Sequence, residues 1–315
     1  MAKVDSLALE NFRGIARCEL HGLAPINLFI GRNNSGKSSV VEALARGLAY
    51  VVPQGQDVRG RTISGVWEQE RGEPASHGDL VRAGAASAAV SLAGLVAANL
   101  RILRHGDSVR LEPHPRQSPD TFGFGEYLPG LDARDAQVEK MLWPRLLATR
   151  EDRALADHLT TLFGTTVESL QLFDGDLMVV GKEQGLRLRV HGSGVRAALR
   201  MLMTVAAVRD GVMVIEELEA FQHPRSLEQL TAIVTRAQAE RPVQFFVTTH
   251  SLECVRAFAR AAVEVASGDE SKSPLAVWYL SPDAAGVIEP RRLTASMGLG
   301  LDELGTDVRC LDEMR

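Results

Sequence analysis

Two periods of hydrophobic positions run through this chain, and together they predict its elements. Near the N-terminus Val4, Ser6, Ala8 and Glu10 alternate with Asp5, Leu7 and Leu9. That two-residue period predicts a half-buried strand, and Val4 to Leu20 reads as two strands about an Asn11-Phe12-Arg13-Gly14 turn. Ile26-Asn27-Leu28-Phe29-Ile30 is a short, mainly apolar run that predicts a buried strand, and Val40, Leu44 and Leu48 follow it at helical spacing. The last third repeats the theme. Val195 to Val208 is apolar on every side, which predicts a buried helix. Val212-Met213-Val214-Ile215 predicts a strand, and Leu227, Leu230, Val234 and Ala237 predict an amphipathic helix opening at Pro224. Gln244 to Thr249 predicts another strand, and Ser251 caps a helix carrying Leu252, Val255, Phe258 and Ala262. Strands alternating with helices predict an α/β fold built on a largely parallel sheet.

The middle of the chain is less regular. Residues 53 to about 80 are rich in Gly, Arg, Gln and Glu and read as a loop or mobile element. Two hairpins are expected after it. In one, Ile102–Arg104 and Val109–Leu111 flank His105-Gly106-Asp107-Ser108; in the other, Leu177–Val180 and Leu186–Val190 flank a turn with Gly181 and Gly185. Pro113, Pro115 and Pro119 predict a break between the two. From Asp135 to Leu162 the pattern is helical, with Val138, Leu142, Leu146 and Leu147 on one side and Leu155, Leu159 and Leu162 on another.

Composition narrows the class. A hydrophobic content of 45% in 315 residues is enough for a full core, and 24% charged residues is ordinary for a globular chain. A net charge of −5 gives no large basic footprint for nucleic acid, although 30 arginines against five lysines leave room for a local patch. Cys18, Cys254 and Cys310 lie far apart, which argues against a zinc site or disulfide framework and suits a reducing cytosol. The uncharged run Ala83 to Leu100 is dominated by Ala, Gly and Ser, too weakly apolar for a membrane span. With no apolar leader at the N-terminus, a cytoplasmic protein without membrane contact is expected.

The chemistry begins at Gly31-Arg32-Asn33-Asn34-Ser35-Gly36-Lys37-Ser38, a G-x-x-x-x-G-K-S string set between a strand and a helix. In that context it is a phosphate-binding loop, or P-loop. The N–H groups of Gly31, Asn33, Asn34, Ser35, Gly36 and the residues to Ser39 meet phosphate at a positive helix end. Lys37 reaches the β- and γ-phosphates, and Ser38 offers a hydroxyl to Mg²⁺. ATP with Mg²⁺ is therefore the expected cofactor pair. Two further strands end at polar residues: Ile215 at Glu216-Glu217, and Thr249 at His250. Open α/β sheets bind ligands at the carboxyl ends of their strands, so the three endings should converge. Glu216 would orient Mg²⁺ and Glu217 would polarise the attacking water.

The order of Phe12-Arg13-Gly14, the P-loop, His191-Gly192-Ser193-Gly194, Glu216-Glu217, Phe221-Gln222-His223-Pro224 and Thr248-Thr249-His250-Ser251 resembles the ATP-binding-cassette ATPase heads of the RecF and SMC branch. It is most similar to the ATPase part of the OLD nucleases (overcoming lysogenisation defect) and related stand-alone ATPases. The likeness covers the first fifty residues and roughly 165 to 265. It implies a single ABC-type head over 1–315, with a mainly parallel core sheet, an antiparallel β lobe and an inserted helical lobe at 53–165. It also implies that Ser193 and Gly194 form the signature motif, which reaches the γ-phosphate held by a second subunit in a head-to-tail ATP sandwich. His250 would be the γ-phosphate switch, Glu217 the catalytic base, and Arg13 a basic residue approaching the nucleotide.

Two departures from the family pattern stand out. The Walker B Asp is here Glu216, whose extra methylene predicts looser Mg²⁺ positioning and slower turnover, relieved by Glu216→Asp. The metal-contacting glutamine has only Gln54, Gln56 and Gln69 as candidates. Ending at Arg315, with Asp302, Glu303, Asp307, Asp312 and Glu313 in no paired motif, the chain is expected to lack the nuclease domain of OLD proteins. The expected activity is ATP hydrolysis coupled to a separate effector or to DNA, in repair or antiphage defence. A nucleotide-gated switch with little turnover is the alternative. A transporter ATPase is disfavoured by the Asn11-Phe12-Arg13-Gly14 opening and the His-Gly-Ser-Gly form of the signature.

Overall fold

Four strands whose every residue is buried lie side by side in the computed structural model: β3 (Ile26–Ile30), β11 (Gly211–Ile215), β12 (Val243–Thr248) and β13 (Leu275–Tyr279). Burial on both faces is what parallel strands between layers require, and it explains their unbroken apolar runs. The structure describes residues 3–49, 79–106, 108–117, 124–128 and 137–300. The expected loop at 53–80, the three candidate glutamines, Cys310 and the C-terminal acids all lie outside the described residues, except for 79–80 of the loop.

The core sheet has the order β15-β13-β3-β12-β11-β7, with β7 (Phe124–Leu128) parallel to β11 and only the short β15 (Arg291–Leu293) antiparallel. Helix α1 (Lys37–Ala49) packs on one side with Val40, Val41, Leu44 and Leu48, joined by a second sheet of order β14-β2-β1-β4-β5-β6. Its strands are β1 (Val4–Phe12), β2 (Ile15–His21), β4 (Ser87–Gly94), β5 (Ala97–His105), β6 (Ser108–Gln117) and β14 (Val287–Ile288). The N-terminal hairpin is as expected, with Phe12 paired to Ile15 across Arg13-Gly14. A register shift between Val4 and Ser6 puts Val4 among the buried residues with Leu7 and Leu9, which the simple alternation placed on the opposite face.

On the other side of the core sheet lie α5 (Pro224–Glu240) and α6 (Leu252–Val265), with α7 (Ala295–Gly300) against α6. Beyond them α2 (Gln137–Ala148), α3 (Asp152–Phe163) and the buried α4 (Ser193–Ala207) share a third core with a small sheet. That sheet has the order β10-β9-β8, formed by β8 (Val167–Phe173), β9 (Asp176–Gly181) and β10 (Gly185–Arg187).

Three expectations change. Pro113 and Pro115 do not break the chain but lie within β6, the sheet's edge strand, where an absent N–H faces no ladder partner. The uncharged run from Ala83 is a hairpin of two strands, β4 and β5, whose alternate residues are buried. The helical pattern of 135–162 is two helices, broken at Arg150, whose φ of 58° is left-handed. Among the described residues from 79 to 165, β4–β6 extend the β1 sheet, β7 extends the core sheet, and α2 and α3 cover α4. Among the described residues no helix is long and apolar enough to cross a membrane.

Two buried amides join the layers. Gln244 on β12 accepts from the N–H groups of Lys3 and Val4 at 2.9 and 2.8 Å and donates to the carbonyls of Val4 and Ala24, both at 2.9 Å. Asn27 on β3 accepts from Ala24 N–H and Trp278 Nε1 and donates to Ala24 O. Buried polar side chains persist when every group is partnered: Gln244 fixes the start of β1 to the core sheet, and Asn27 ties the Ala24 turn and β13 to β3.

Candidate functional site

The P-loop leaves the carboxyl end of β3 and turns into α1, and its two outer glycines are forced by what lies beside them. Gly31 has φ 141°, and a Cβ there would stand 2.4 Å from Leu280 O and 2.8 Å from Ser35 Oγ. Gly36 has φ 94°, and its Cβ would meet Ile288 Cδ1 at 2.9 Å. The loop folds tightly because β13 and β14 press against it. Inside it Lys37 is buried and donates to Gly31 O and Arg32 O, both at 2.8 Å, and to Ser35 Oγ at 3.3 Å. Burial pushes the Lys37 pKa down to about 8, against the raising effect of the Glu217 and Glu219 charges.

A cleft of about 760 Å³ opens above the loop. Asn33 to Ser39 form its floor, and Arg13, Glu217 and His250 stand on its walls, so three strand ends and the β1–β2 turn converge as expected. Ser38 is exposed, and His250 Nε2 lies 3.8 Å from Glu217 Oε1. Glu217 has φ 51°, a left-handed conformation uncommon for a residue with a side chain and one that clusters at functional sites. Arg13 is also left-handed, at φ 53°, and its guanidinium pairs with the buried carboxylate of Glu42, which accepts from Arg46 Nε at 3.1 Å as well. Glu216 directly follows β11, half-buried, and is not among the residues lining the cleft. Ser193 and Gly194 line no part of it either. Ser193 is exposed at the start of α4, and Gly194 backs onto Phe221, whose carbonyl would be 2.8 Å from an added Cβ.

The sequence reading missed other parts of the cleft. Arg82 lines it and donates to Ala285 O at 2.8 Å, and Pro282, Asp283, Ala284 and Gly286 complete the lining. The available signal was the apolar run from Leu275 to Leu280, which forms β13 beside β3 and delivers that loop to the site. Glu42 and Glu219 had no motif to mark them.

As to Mg²⁺, the described residues hold no cluster of three His, Cys, Asp or Glu side chains. Of the two expected donors, the Ser38 hydroxyl lies in the cleft and the Glu216 carboxylate does not line it, an arrangement that suits an ion bringing phosphate oxygens and waters with it. Mg²⁺ bound with a nucleotide takes only one or two protein carboxylates.

Known proteins fit this architecture. Residues 2–48 match a family described as an AAA ATPase domain, and residues 98–256 match one described as "AAA domain, putative AbiEii toxin, Type IV TA system". Two uncharacterised proteins of Methanocaldococcus jannaschii share local identity: MJECL11 at 38% over 64 residues and MJECL10 at 45% over 42. These alignments take in 20% and 13% of this chain, and 56% and 19% of the relatives, so the chain spans about half the length of one and a fifth of the other. Among solved structures, an SMC head bound to the C-terminal winged-helix domain of ScpA superposes with a TM-score of 0.64 at 14% identity, over 93% of this chain and 98% of that one. The SMC head of Thermotoga maritima gives 0.56 at 15%, over 93% and 99%. A Pyrococcus furiosus SMC head, bound to a ScpA C-terminal domain, gives 0.57 at 12%, over 97% and 100%. At such identities the likeness is one of fold, that of an SMC-type ATPase head.

Proposed function

This chain belongs to the AAA-domain family of ATPases, and from that premise we propose how it hydrolyses ATP and to what end. The nucleotide lies in the cleft over the P-loop, its phosphates on the N–H groups of Gly31 and Asn33 to Ser39 and on Lys37. Ser38 and, through the waters of the ion, Glu216 would hold Mg²⁺, which would supply charge neutralisation to the phosphates. Glu217 takes the proton of the attacking water and His250 senses the γ-phosphate. Arg13, anchored by Glu42, faces the nucleotide from the β1–β2 turn.

The observation that carries this reading is a division of parts. Lys37, Glu217 and His250 share one cleft, whereas Ser193 and the start of α4 point to solvent outside it. A helix N-terminus with an exposed serine is an anion-binding end without an anion of its own chain to bind. A second copy, head to tail, supplies one. Closure around two ATP molecules then gates a partner effector or a nucleic-acid transaction, in repair or antiphage defence, with 1–315 acting as one OLD-like ATPase head. The α2–α3 layer and small sheet from 137 to 190 form the natural partner surface, exposing Phe173 and Val190 to 65% and 64%.

Phosphate release from Mg-ATP, followed over a range of protein concentrations, tests the core of this reading. Specific activity rises with concentration and falls at least 100-fold in Glu217→Gln; activity independent of concentration would remove the dimer. A second reading, a gated switch that binds ATP and turns it over poorly, is favoured by Glu216 in place of the shorter Asp. Glu216→Asp then raises the rate in the same assay.

A further inference from the structure

The two groups placed at the reacting phosphate leave adjacent parallel strands, β11 and β12, and each is held by a residue from the other strand's side. Thr248, the last residue of β12, accepts from the Glu217 N–H at 3.1 Å through its Oγ1. In the opposite direction, Glu219, two residues beyond Glu217, accepts from the His250 N–H at 2.7 Å through Oε1. Neither bond belongs to the sheet ladder, which pairs β11 and β12 only from Gly211–Val243 to Ile215–Val247. The strands therefore stop, and two side-chain bonds take over the register where the chemistry sits.

We propose that Glu219 is a positioning residue for ATP hydrolysis: with Thr248 it forms a reciprocal brace that sets His250 against Glu217. The inference rests on the reading of Glu217 and His250 as the reacting pair.

Three further observations support it. The His250–Glu217 separation of 3.8 Å is defined only if both backbones are fixed, and Glu217 holds a left-handed φ of 51° that an unrestrained glutamate would relax. The second oxygen of Glu219, Oε2, is buried without a hydrogen-bond partner, so the carboxylate accepts the cost of desolvation to make the one bond to His250. On its far side, the Glu219 turn continues to Gln222, whose N–H bonds back to Glu219 O at 3.0 Å. Gln222 Nε2 in turn reaches Gly194 O at 3.4 Å, so the turn that aligns His250 rests on the start of α4.

The experiment compares Glu219→Ala, Glu219→Gln, His250→Ala, Glu217→Gln and the double variant Glu219→Ala/His250→Ala. It reads kcat, KM and ATP affinity at a temperature well below each melting point. Glu219→Ala lowers kcat about 10- to 100-fold with ATP affinity within about twofold, the range for a misplaced catalytic group. Glu219→Gln, whose amide oxygen still accepts from the His250 N–H, recovers kcat to within about threefold. The double variant is no slower than His250→Ala alone, because Glu219 acts through that residue. Wild-type kcat in Glu219→Ala beside inactive Glu217→Gln and His250→Ala overturns the brace alone. An additive double variant overturns it too, by making Glu219 an independent participant. Full activity in Glu217→Gln and His250→Ala would instead overturn the reading of the reacting pair. Should Glu219→Ala fail to fold, Thr248→Val removes the other half of the brace without changing side-chain shape, and the same loss of kcat at constant affinity is expected.

Discussion

At the scale of single residues, Lys37 shows most directly what phosphate binding changes in the loop. Its ammonium is satisfied by two loop carbonyls and Ser35 Oγ, and burial still lowers its pKa to about 8. Bound triphosphate brings negative charge to the same ammonium and raises the value again. The sign follows: below pH 8 the lysine is charged with or without ATP, and binding is insensitive to it. Above pH 8 the free protein has lost the proton and must take it up on binding. ATP affinity therefore falls with pH above about 8, by up to tenfold per pH unit, and titration calorimetry in buffers of different ionisation enthalpy detects an uptake approaching one proton. Lys37→Arg removes the uptake. Constant affinity from pH 7 to 9.5 would mean that the ammonium stays charged in its carbonyl cage. The same depressed value costs the fold stability while Lys37 is protonated, so this contribution to stability improves as pH rises from about 8 to 10.5.

At the scale of elements, the sequence displays what is local and hides what is remote. The P-loop, the buried strands β3, β11 and β12, and the Ser251 cap, whose Oγ accepts from Cys254 N–H at 3.2 Å, could be read because strand period, helix period and cap chemistry are written within ten residues. The loop from Pro282 to Gly286 could not, because only the pairing of β13 with β3 brings it to the cleft. Glu219 was equally silent: it is one acid in an acidic stretch until its bond to His250 is seen. Gln244 is a third case. In sequence it is a polar residue at the start of an apolar run; in the fold it holds the start of β1 to β12 with three hydrogen bonds and the Ala24 carbonyl with a fourth. Gln244→Leu, close in volume, removes the side-chain partner of two buried N–H groups and of the Val4 carbonyl, while the Ala24 carbonyl keeps its bond from Asn27. At about 1–3 kcal/mol for each buried group left unsatisfied, several kcal/mol of stability should go. A urea unfolding midpoint unchanged from wild type would show that the β1 sheet docks by apolar contact alone.

At the scale of the whole molecule, the question is whether one chain contains a complete site, and the geometry makes a prediction that mixing can test. Lys37 and Ser193 stand apart in the chain, the first inside the cleft and the second exposed outside it. In a head-to-tail pair each composite site takes Lys37 from one copy and Ser193 from the other. Lys37→Ala and Ser193→Arg are therefore both inactive alone, since every site in either homodimer carries the fault. In an equal mixture half of the pairs are mixed, and each mixed pair concentrates both faults in one site and leaves the other intact. Up to about a quarter of wild-type sites return, and phosphate release recovers toward that fraction when the copies exchange freely, as the point-group logic of a two-fold interface requires. A site complete within one chain gives no recovery at any ratio. The same mixture made with Lys37→Ala and Glu217→Gln, two faults on the same side of the interface, should stay inactive, because every composite site then contains one of them. Recovery in the first mixture and silence in the second assigns Ser193 to the opposite copy and Lys37 and Glu217 to the same one.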